Sequence, residues 1–140
     1  MTININETEK LQNNTAYQSF LTNNPSTGTL KVRVSSINKA LPVSGVDIVV
    51  SKMIGDDLIV FFEGKTDESG MVENIKLPTP IGNPNDEIAP EFTTYQLQAT
   101  YLKEKFDKIY DIALCCGVSV IQNINITPEV DIEMRKAYGN

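Results

Sequence analysis

The sequence contains no histidine and no tryptophan, and it has only two cysteines. Without histidine, neither a Ser-His-Asp triad nor a Cys-His pair can be assembled. A zinc site without histidine needs four thiolates, which two cysteines cannot supply. No glycine-rich phosphate loop is present. These absences leave no catalytic residue, no metal ligand set and no cofactor to assign, and they predict a protein that is not an enzyme.

Long apolar runs and an excess of basic residues are also missing. No stretch approaches the roughly 20 apolar residues that span a bilayer, so membrane insertion is not expected. Twelve Lys and Arg against 18 Asp and Glu give a net charge of −6, which disfavours nucleic acid as a partner. Residues 1–7 lack the basic and apolar regions of a signal peptide. We therefore expect synthesis in the cytoplasm and, later, a place on a spore or particle surface.

The main pattern that is present is the alternation of apolar and polar residues typical of strands. A chain of 140 residues that is 41% hydrophobic can bury one ordinary core. Turn residues separate about seven alternating segments between residues 28 and 128, and helical periodicity is nearly absent. The predicted strands cover residues 30–35, 46–51, 58–65, 71–77, 92–102, 109–114 and 118–127. The pattern predicts an all-β, immunoglobulin-like sandwich of two antiparallel sheets.

Residues 1–27 and 129–140 differ from this central domain. The first segment is polar and rich in asparagine, and we interpret it as an N-terminal arm. Its apolar residues are Ile3 and Ile5, which alternate as in a strand, and then Leu11, Tyr17, Phe20 and Leu21, of which the last three fit one face of a short helix. In the C-terminal tail, Val130, Ile132 and Met134 alternate and predict an extra strand.

Two interpretations of the arm remain open. It is either a loosely packed tail, or a segment whose residues Thr2 to Asn6 add a strand to the open sheet edge of a neighbouring copy. In the second case the residues in contact with the neighbour are Ile3, Ile5, Leu11, Tyr17, Phe20 and Leu21. Repeated head to tail, such a contact does not close and produces a filament.

The two cysteines, Cys115 and Cys116, are adjacent. A disulfide between neighbours strains the peptide that joins them, so these cysteines do not staple the fold internally. They are either a buried thiol with an incidental neighbour or the source of disulfides between copies, which need an oxidising setting.

Acidic residues cluster in turns. Asp56, Asp57, Asp67 and Glu68 are hard oxygen ligands, but their spacing matches no known calcium loop, so we interpret them as solvated turn residues. Asp86, Glu87 and Glu91 lie in a proline-rich loop, where no rigid element would hold a pair of catalytic carboxylates.

The stretch from Gly28 to Pro128 resembles a known module. The matching segments include Asn24-Pro25, Leu41-Pro42-Val43, Thr66-Asp67-Glu68-Ser69-Gly70, Leu77-Pro78-Thr79-Pro80, Tyr95-Gln96-Leu97 and Gly117-Val118. Together they resemble the carboxypeptidase-regulatory, transthyretin-like β-sandwich found in clostridial and bacillary spore-associated and cortex-lytic proteins. The resemblance implies an accessory role, as a spacer or interaction domain beside an enzyme. Lys103-Glu104-Lys105-Phe106 replaces the Gly-Tyr that the family tends to have after its long strand, so we expect a different turn there.

A related class of surface sandwiches forms Lys–Asn isopeptide bonds with the help of a glutamate in a Tyr-x-Leu-x-Glu motif. Here Tyr95-Gln96-Leu97-Gln98 is followed by Ala99, so the glutamate is missing. Lys31 and Asn123 would be the partners, and we do not expect the bond to form.

The sequence thus favours a non-enzymatic structural protein that assembles with copies of itself, and with other spore or cell-surface proteins, into a surface fibre or coat. Two alternatives remain. One is a binding module for a cell-wall or cortex-lytic enzyme, for which Tyr17, Tyr110 and Tyr138 would have to stack on sugars. The other is a phage tail or decoration protein.

Overall fold

The structure is a computed structural model that describes residues 1–36, 41–82, 91–102 and 105–126. Two short helices, α1 (Thr8–Gln12) and α2 (Thr15–Asn23), come between the first strand and the rest. The strands of the described ranges are β1 (Thr2–Asn4), β2 (Ser26–Ser36), β3 (Leu41–Pro42), β4 (Asp47–Ile54), β5 (Asp57–Lys65), β6 (Met71–Thr79), β7 (Thr93–Tyr101), β8 (Phe106–Leu114) and β9 (Ser119–Ile126). None of these helices is long and apolar enough to cross a membrane.

The strands form two sheets. The larger sheet has the order β1-β5-β4-β7-β8, and the smaller one has β2 at its centre. On one side of β2 lies β9, and on the other side lie β6 and, further along, β3. The seven predicted strands correspond to β2 and β4 to β9, so the prediction of an all-β sandwich is confirmed.

The sheets are mixed, and the prediction that they are purely antiparallel was wrong. β1 pairs in parallel with β5, and β9 pairs in parallel with β2 from Thr29↔Ser119 to Ser36↔Ile126. A hairpin forces its two strands to be antiparallel. Neither of these pairs is joined by a hairpin: the helices and β2 to β4 come between β1 and β5, and most of the chain separates β2 from β9. The connections therefore allow either a parallel or an antiparallel arrangement of each pair.

The core lies between the sheets and follows the alternation. Leu30, Val32 and Val34 of β2 are fully buried, as are Leu97 and Ala99 of β7. The alternate residues of both strands point away from the core, except that Ser35 and Ser36 are buried near the end of β2. The hydroxyl of Tyr95 donates a hydrogen bond of 2.5 Å to the carbonyl of Pro78, which links the two sheets.

β5 is covered on both faces, as its continuous apolar run predicts. Ile59, Val60 and Phe61 are consecutive and all buried. The pairing register of β5 with β4 shifts between Val50 and Ser51 of β4, which marks a bulge. The extra residue at this bulge is Phe61 of β5, which lies between the paired residues Val60 and Phe62. A bulge redirects side chains locally, and the Phe61 ring contacts helix α2.

Two further details concern turns. Gly70, at the end of the Thr66–Gly70 turn, has a φ of +73°, a backbone conformation that glycine adopts far more readily than other residues. Pro78 does not end its strand as predicted, since β6 continues to Thr79. Proline is tolerated there because β6 lies at the edge of its sheet among the described strands. The predicted tail strand, at residues 130–134, lies outside the described residues.

Candidate functional site

The N-terminal arm lies against its own chain. β1 forms the edge of the larger sheet, where the N–H of Leu58 donates to the carbonyl of Met1 (2.8 Å) and that of Ile5 donates to Val60 (3.0 Å). Ile3 and Leu11 are only 3% and 5% exposed and belong to the core. The arm therefore supplies both a strand and core side chains.

Helix α2 covers a group of aromatic side chains. The rings of Tyr17 and Phe20 lie 6.3 Å and 5.9 Å from the ring of Phe61, and the Phe61 ring meets Tyr95 nearly edge-on at 5.3 Å. Burial raises the pKa of both Tyr17 and Tyr95, because desolvation disfavours the phenolate. We call this surface the arm groove: the edge of β5 together with Phe61 and Tyr95.

Lys52 lies beside the arm groove. Its ammonium donates to the carbonyl of Thr94 (2.7 Å) and lies 5.8 Å from the centre of the Tyr95 ring. Partial burial lowers the pKa of Lys52, because the charged amine is desolvated. Sequence reasoning missed this residue, because a lysine in an alternating strand suggests a solvent-facing position.

The start of α2 is held by Asn14. Its side-chain oxygen accepts the N–H of Tyr17 (2.9 Å), which caps the helix, and its amide donates to the Asp57 carboxylate (2.8 Å). A Cβ atom on Gly55 would lie 2.9 Å from the Cβ of Ala16, so the turn between β4 and β5 fits closely against the helix. An asparagine directly before a short apolar-periodic segment was the available signal for this cap.

The end of α2 leads directly into β2. The side chain of Asn24 donates to the carbonyl of Phe20 (2.8 Å) and accepts a hydrogen bond from the Thr93 hydroxyl. Pro25 follows, and its ring disfavours helical backbone geometry at the preceding residue, Asn24. Residues 24 and 25 are therefore the connection between the arm and the sandwich.

Four of the six predicted arm contacts pack within the chain itself. Ile3 and Leu11 are buried, and Tyr17 and Phe20 pack on the core. Leu21 is half-buried and Ile5 is 39% exposed. Ile3 and Leu11 can reach another subunit only if the arm leaves its own groove, so contact between subunits through the arm stays a prediction.

Cys115 and Cys116 are free thiols, and both are half-buried. The sulfur of Cys116 lies 2.8 Å from the hydroxyl oxygen of Ser26, at hydrogen-bond distance. A Cβ atom on Gly28 would lie 2.8 Å from the Cys115 carbonyl, so the backbones are in close contact at this corner. A disulfide to another copy stays a prediction.

The acidic turns have structural contacts. One carboxylate oxygen of Asp67 accepts the N–H groups of Ser69 and Met71, and Asp57 accepts the Asn14 amide. Across the four described ranges, no three His, Cys, Asp or Glu side chains come together to hold a metal ion. Glu91 is exposed, while residues 86 and 87 lie outside those ranges.

The residues considered for an isopeptide bond have other surroundings. The Lys31 ammonium lies 3.1 Å from the Glu73 carboxylate. Asn123 is exposed and pairs with Arg33 rather than with Lys31. These positions give no enclosed Lys–Asn pair.

Tyr17 and Tyr110, two of the three tyrosines proposed to stack on sugars, are not exposed platforms. Tyr17 packs against Phe61, and Tyr110, opposite Leu97 on β7, is half-buried with a pKa raised by desolvation. Tyr138 lies outside the described residues. An aromatic side chain that is exposed in this structure is Phe92, at 57%.

Comparisons with known proteins find similarity among solved structures. No family model and no curated protein matches the chain. Among solved structures, the chain is similar to 5-hydroxyisourate hydrolase of Klebsiella pneumoniae, with 18% identity and a TM-score of 0.47 over 72% of this chain and 90% of that one. The similarity concerns the fold alone, and the spore association stays a prediction.

Proposed function

We propose that this chain is a non-catalytic structural protein that assembles with copies of itself by exchanging its N-terminal arm. One observation supports this most: the arm contributes a sheet strand and two core side chains, Ile3 and Leu11, to a sandwich that it joins through the single connection at residues 24 and 25. The arm of another copy would make the same contacts in the arm groove, so exchange requires no new interface.

Exchange between two copies closes a dimer, whereas exchange passed from copy to copy produces a fibre. A fibre or coat on a spore or particle surface, with disulfides from Cys115 or Cys116 between copies, is the larger assembly we propose. A non-reducing gel of the assembled wild-type chain, beside a reduced sample, tests for those disulfides.

Arm exchange is tested by cross-linking across the pairing of Thr2 with Leu58. Neighbouring strands lie about 4.7–4.9 Å apart, within the range that a disulfide spans. One chain carries Thr2→Cys, a second chain carries Leu58→Cys, and both carry Cys115→Ser and Cys116→Ser. After co-expression and oxidation, exchange yields a covalent heterodimer.

The matched control carries Thr2→Cys and Leu58→Cys in one chain. An arm that stays in its own groove gives only an internal cross-link in this control and no heterodimer in the mixture. That result, together with a monomeric mass for the wild-type chain at every concentration, contradicts the proposal.

A further inference from the structure

The outer faces of the two sheets carry opposite charge. On the larger sheet, the residues that alternate with the core positions include four carboxylates and one ammonium. This acidic face carries Asp47, Glu63, Lys65, Asp107 and Asp111. Lys65 bonds to Asp47 at 2.7 Å, and Gln98 donates to Asp107 at 3.0 Å, which confirms that these side chains share one surface.

The smaller sheet has the opposite balance. Its outer side, the basic face, carries the three cations Lys31, Arg33 and Lys76 and one carboxylate, Glu73. Lys31 pairs with Glu73, and Lys76 donates to the hydroxyl of Thr29 at 3.0 Å. In a chain with a net charge of −6, this is a local excess of positive charge.

Each face also exposes one isoleucine next to its charges. Ile109 lies between Asp107 and Asp111 along β8 and is 57% exposed. Ile121 of β9 is 52% exposed and stands beside Lys31 in the register with β2. An apolar side chain surrounded by charges is the arrangement of a small interface centre with a polar rim.

We propose that the acidic face of one copy stacks on the basic face of the next. Residues two apart on a strand are separated by about 6.6–6.8 Å on any sheet, so the charges of one face can align with those of the other. Ile109 of one copy then packs near Ile121 of the next. Because two different surfaces meet, the contact is heterologous and propagates as an open stack.

This inference rests on the proposed self-assembly and adds an interface that does not involve the arm. Asp107→Lys with Asp111→Lys reverses the acidic face, and Lys31→Glu with Arg33→Glu reverses the basic face. Each reversed chain alone sets like charges against each other and raises the concentration at which assembly begins by at least about tenfold. An equimolar mixture of chains reversed on one face and chains reversed on the other contains two complementary pairs of faces, so the two kinds of chain stack alternately and recover assembly. A chain reversed on both faces stacks with its own copies and recovers assembly.

The controls separate charge from folding. Asp56→Lys changes charge in the turn between β4 and β5, away from both faces, and leaves assembly within about twofold of wild type. Circular dichroism establishes that each variant is folded, and light scattering measures assembly. Raising the salt from about 0.1 M to about 1 M, which shortens the screening length from about 10 Å to about 3 Å, weakens wild-type assembly.

The results distinguish this interface from arm exchange. If single-face reversals assemble like wild type, or if the chain reversed on both faces stays dispersed, the stacking interface is wrong, whatever the arm does. A second outcome is that chains lacking residues 1–6 still stack in a salt-dependent way while the Thr2→Cys and Leu58→Cys mixture gives no cross-linked heterodimer. That result supports the stacking interface and contradicts arm exchange. A wild-type chain that is monomeric at low salt and high concentration overturns both.

Discussion

Two buried threonines show that the contribution of a hydroxyl to stability depends on whether it has a hydrogen-bond partner. Thr66 is 4% exposed; its hydroxyl donates to the carbonyl of Val43 (2.8 Å) and accepts the N–H of Val46 (3.0 Å). Thr79 is fully buried, and its hydroxyl has no hydrogen-bond partner among the described residues. A buried polar group is costly when unpaired and favourable when paired.

Valine keeps the shape of threonine and removes the hydroxyl, so it measures this difference. Thr66→Val leaves two backbone groups without their partner, and we expect it to lower the free energy of unfolding by about 2 kcal/mol. Thr79→Val removes an unpaired hydroxyl, and we expect unchanged or higher stability. Urea unfolding of the two variants measures both, and equal losses would contradict the prediction.

The sequence identified both threonines only as neighbours of turn or proline segments. Alternation assigns a residue to a face of a strand, but it does not say which polar atoms meet across the sandwich. The paired hydroxyl of Thr66 depends on residues 43 and 46, which reach it only once the sheets have formed.

At the scale of elements, helix α2 depends on its N-cap residue, Asn14. Asn14 both caps the helix and bonds to Asp57, so Asn14→Ala removes two contacts at once. We expect a loss of about 1–2 kcal/mol and faster amide hydrogen exchange throughout α2, because the helix is released from the turn between β4 and β5.

Asn13→Ala is the matched control for this variant. Asn13 is exposed, and its side chain donates to the carbonyl of Glu9, at 3.3 Å. We expect a change within about 0.5 kcal/mol and unchanged exchange in α2. If both substitutions have the same effect, Asn14 does not hold the helix in the way described.

The positions of the strands were largely predictable because their apolar and polar residues alternate strongly. Which strands pair with each other, and whether they pair in parallel, was not predictable. Apolar residues at every second position mark a strand and its buried face, but this alternation is the same in parallel and antiparallel pairs of strands. Helix α1 covers five residues, which is too short for a periodic signal. β8 begins at Phe106, earlier than predicted, because the exposed Asp107 and Lys108 interrupt the apolar pattern although Phe106 itself is buried.

At the scale of the whole molecule, the separation of charge between the two outer faces was not visible in the sequence. Alternation places Lys31 and Arg33 outward on one strand and Asp107 and Asp111 outward on another. Only the assignment of β2 and β8 to different sheets puts these charges on opposite sides. Net charge alone, at −6, suggests a uniformly acidic surface.

The buried tyrosines make the stability of the whole fold sensitive to alkali. Burial raises the pKa of Tyr17, Tyr95 and Tyr110 above the usual value of about 10. The folded state therefore favours the neutral phenol; this contribution is complete below about pH 10 and is lost as the pH rises beyond it. The lowered pKa of Lys52 acts in the opposite direction over a similar range. With three tyrosines against one lysine, we expect a net loss of stability as the pH rises from about 10 to about 12.

Urea unfolding across that range measures the slope, and Tyr95→Phe provides the comparison. The phenylalanine variant loses the hydrogen bond to Pro78, so it starts from lower stability, but it has one fewer group to ionise. We expect its stability to fall less steeply with pH. A slope identical to that of wild type would show that Tyr95 does not drive the alkaline loss.

The parallel pairing of β2 with β9 has a consequence for how the chain is made. Thr29 meets Ser119, so the central strand of the smaller sheet must wait for a segment about 90 residues later. At about 5–20 residues per second, a ribosome needs roughly 5–20 s to deliver it. During that interval one edge of β2 is open to the nascent chains of neighbouring ribosomes, and a protein that binds extended segments as they emerge would keep the polysome free of mispaired products.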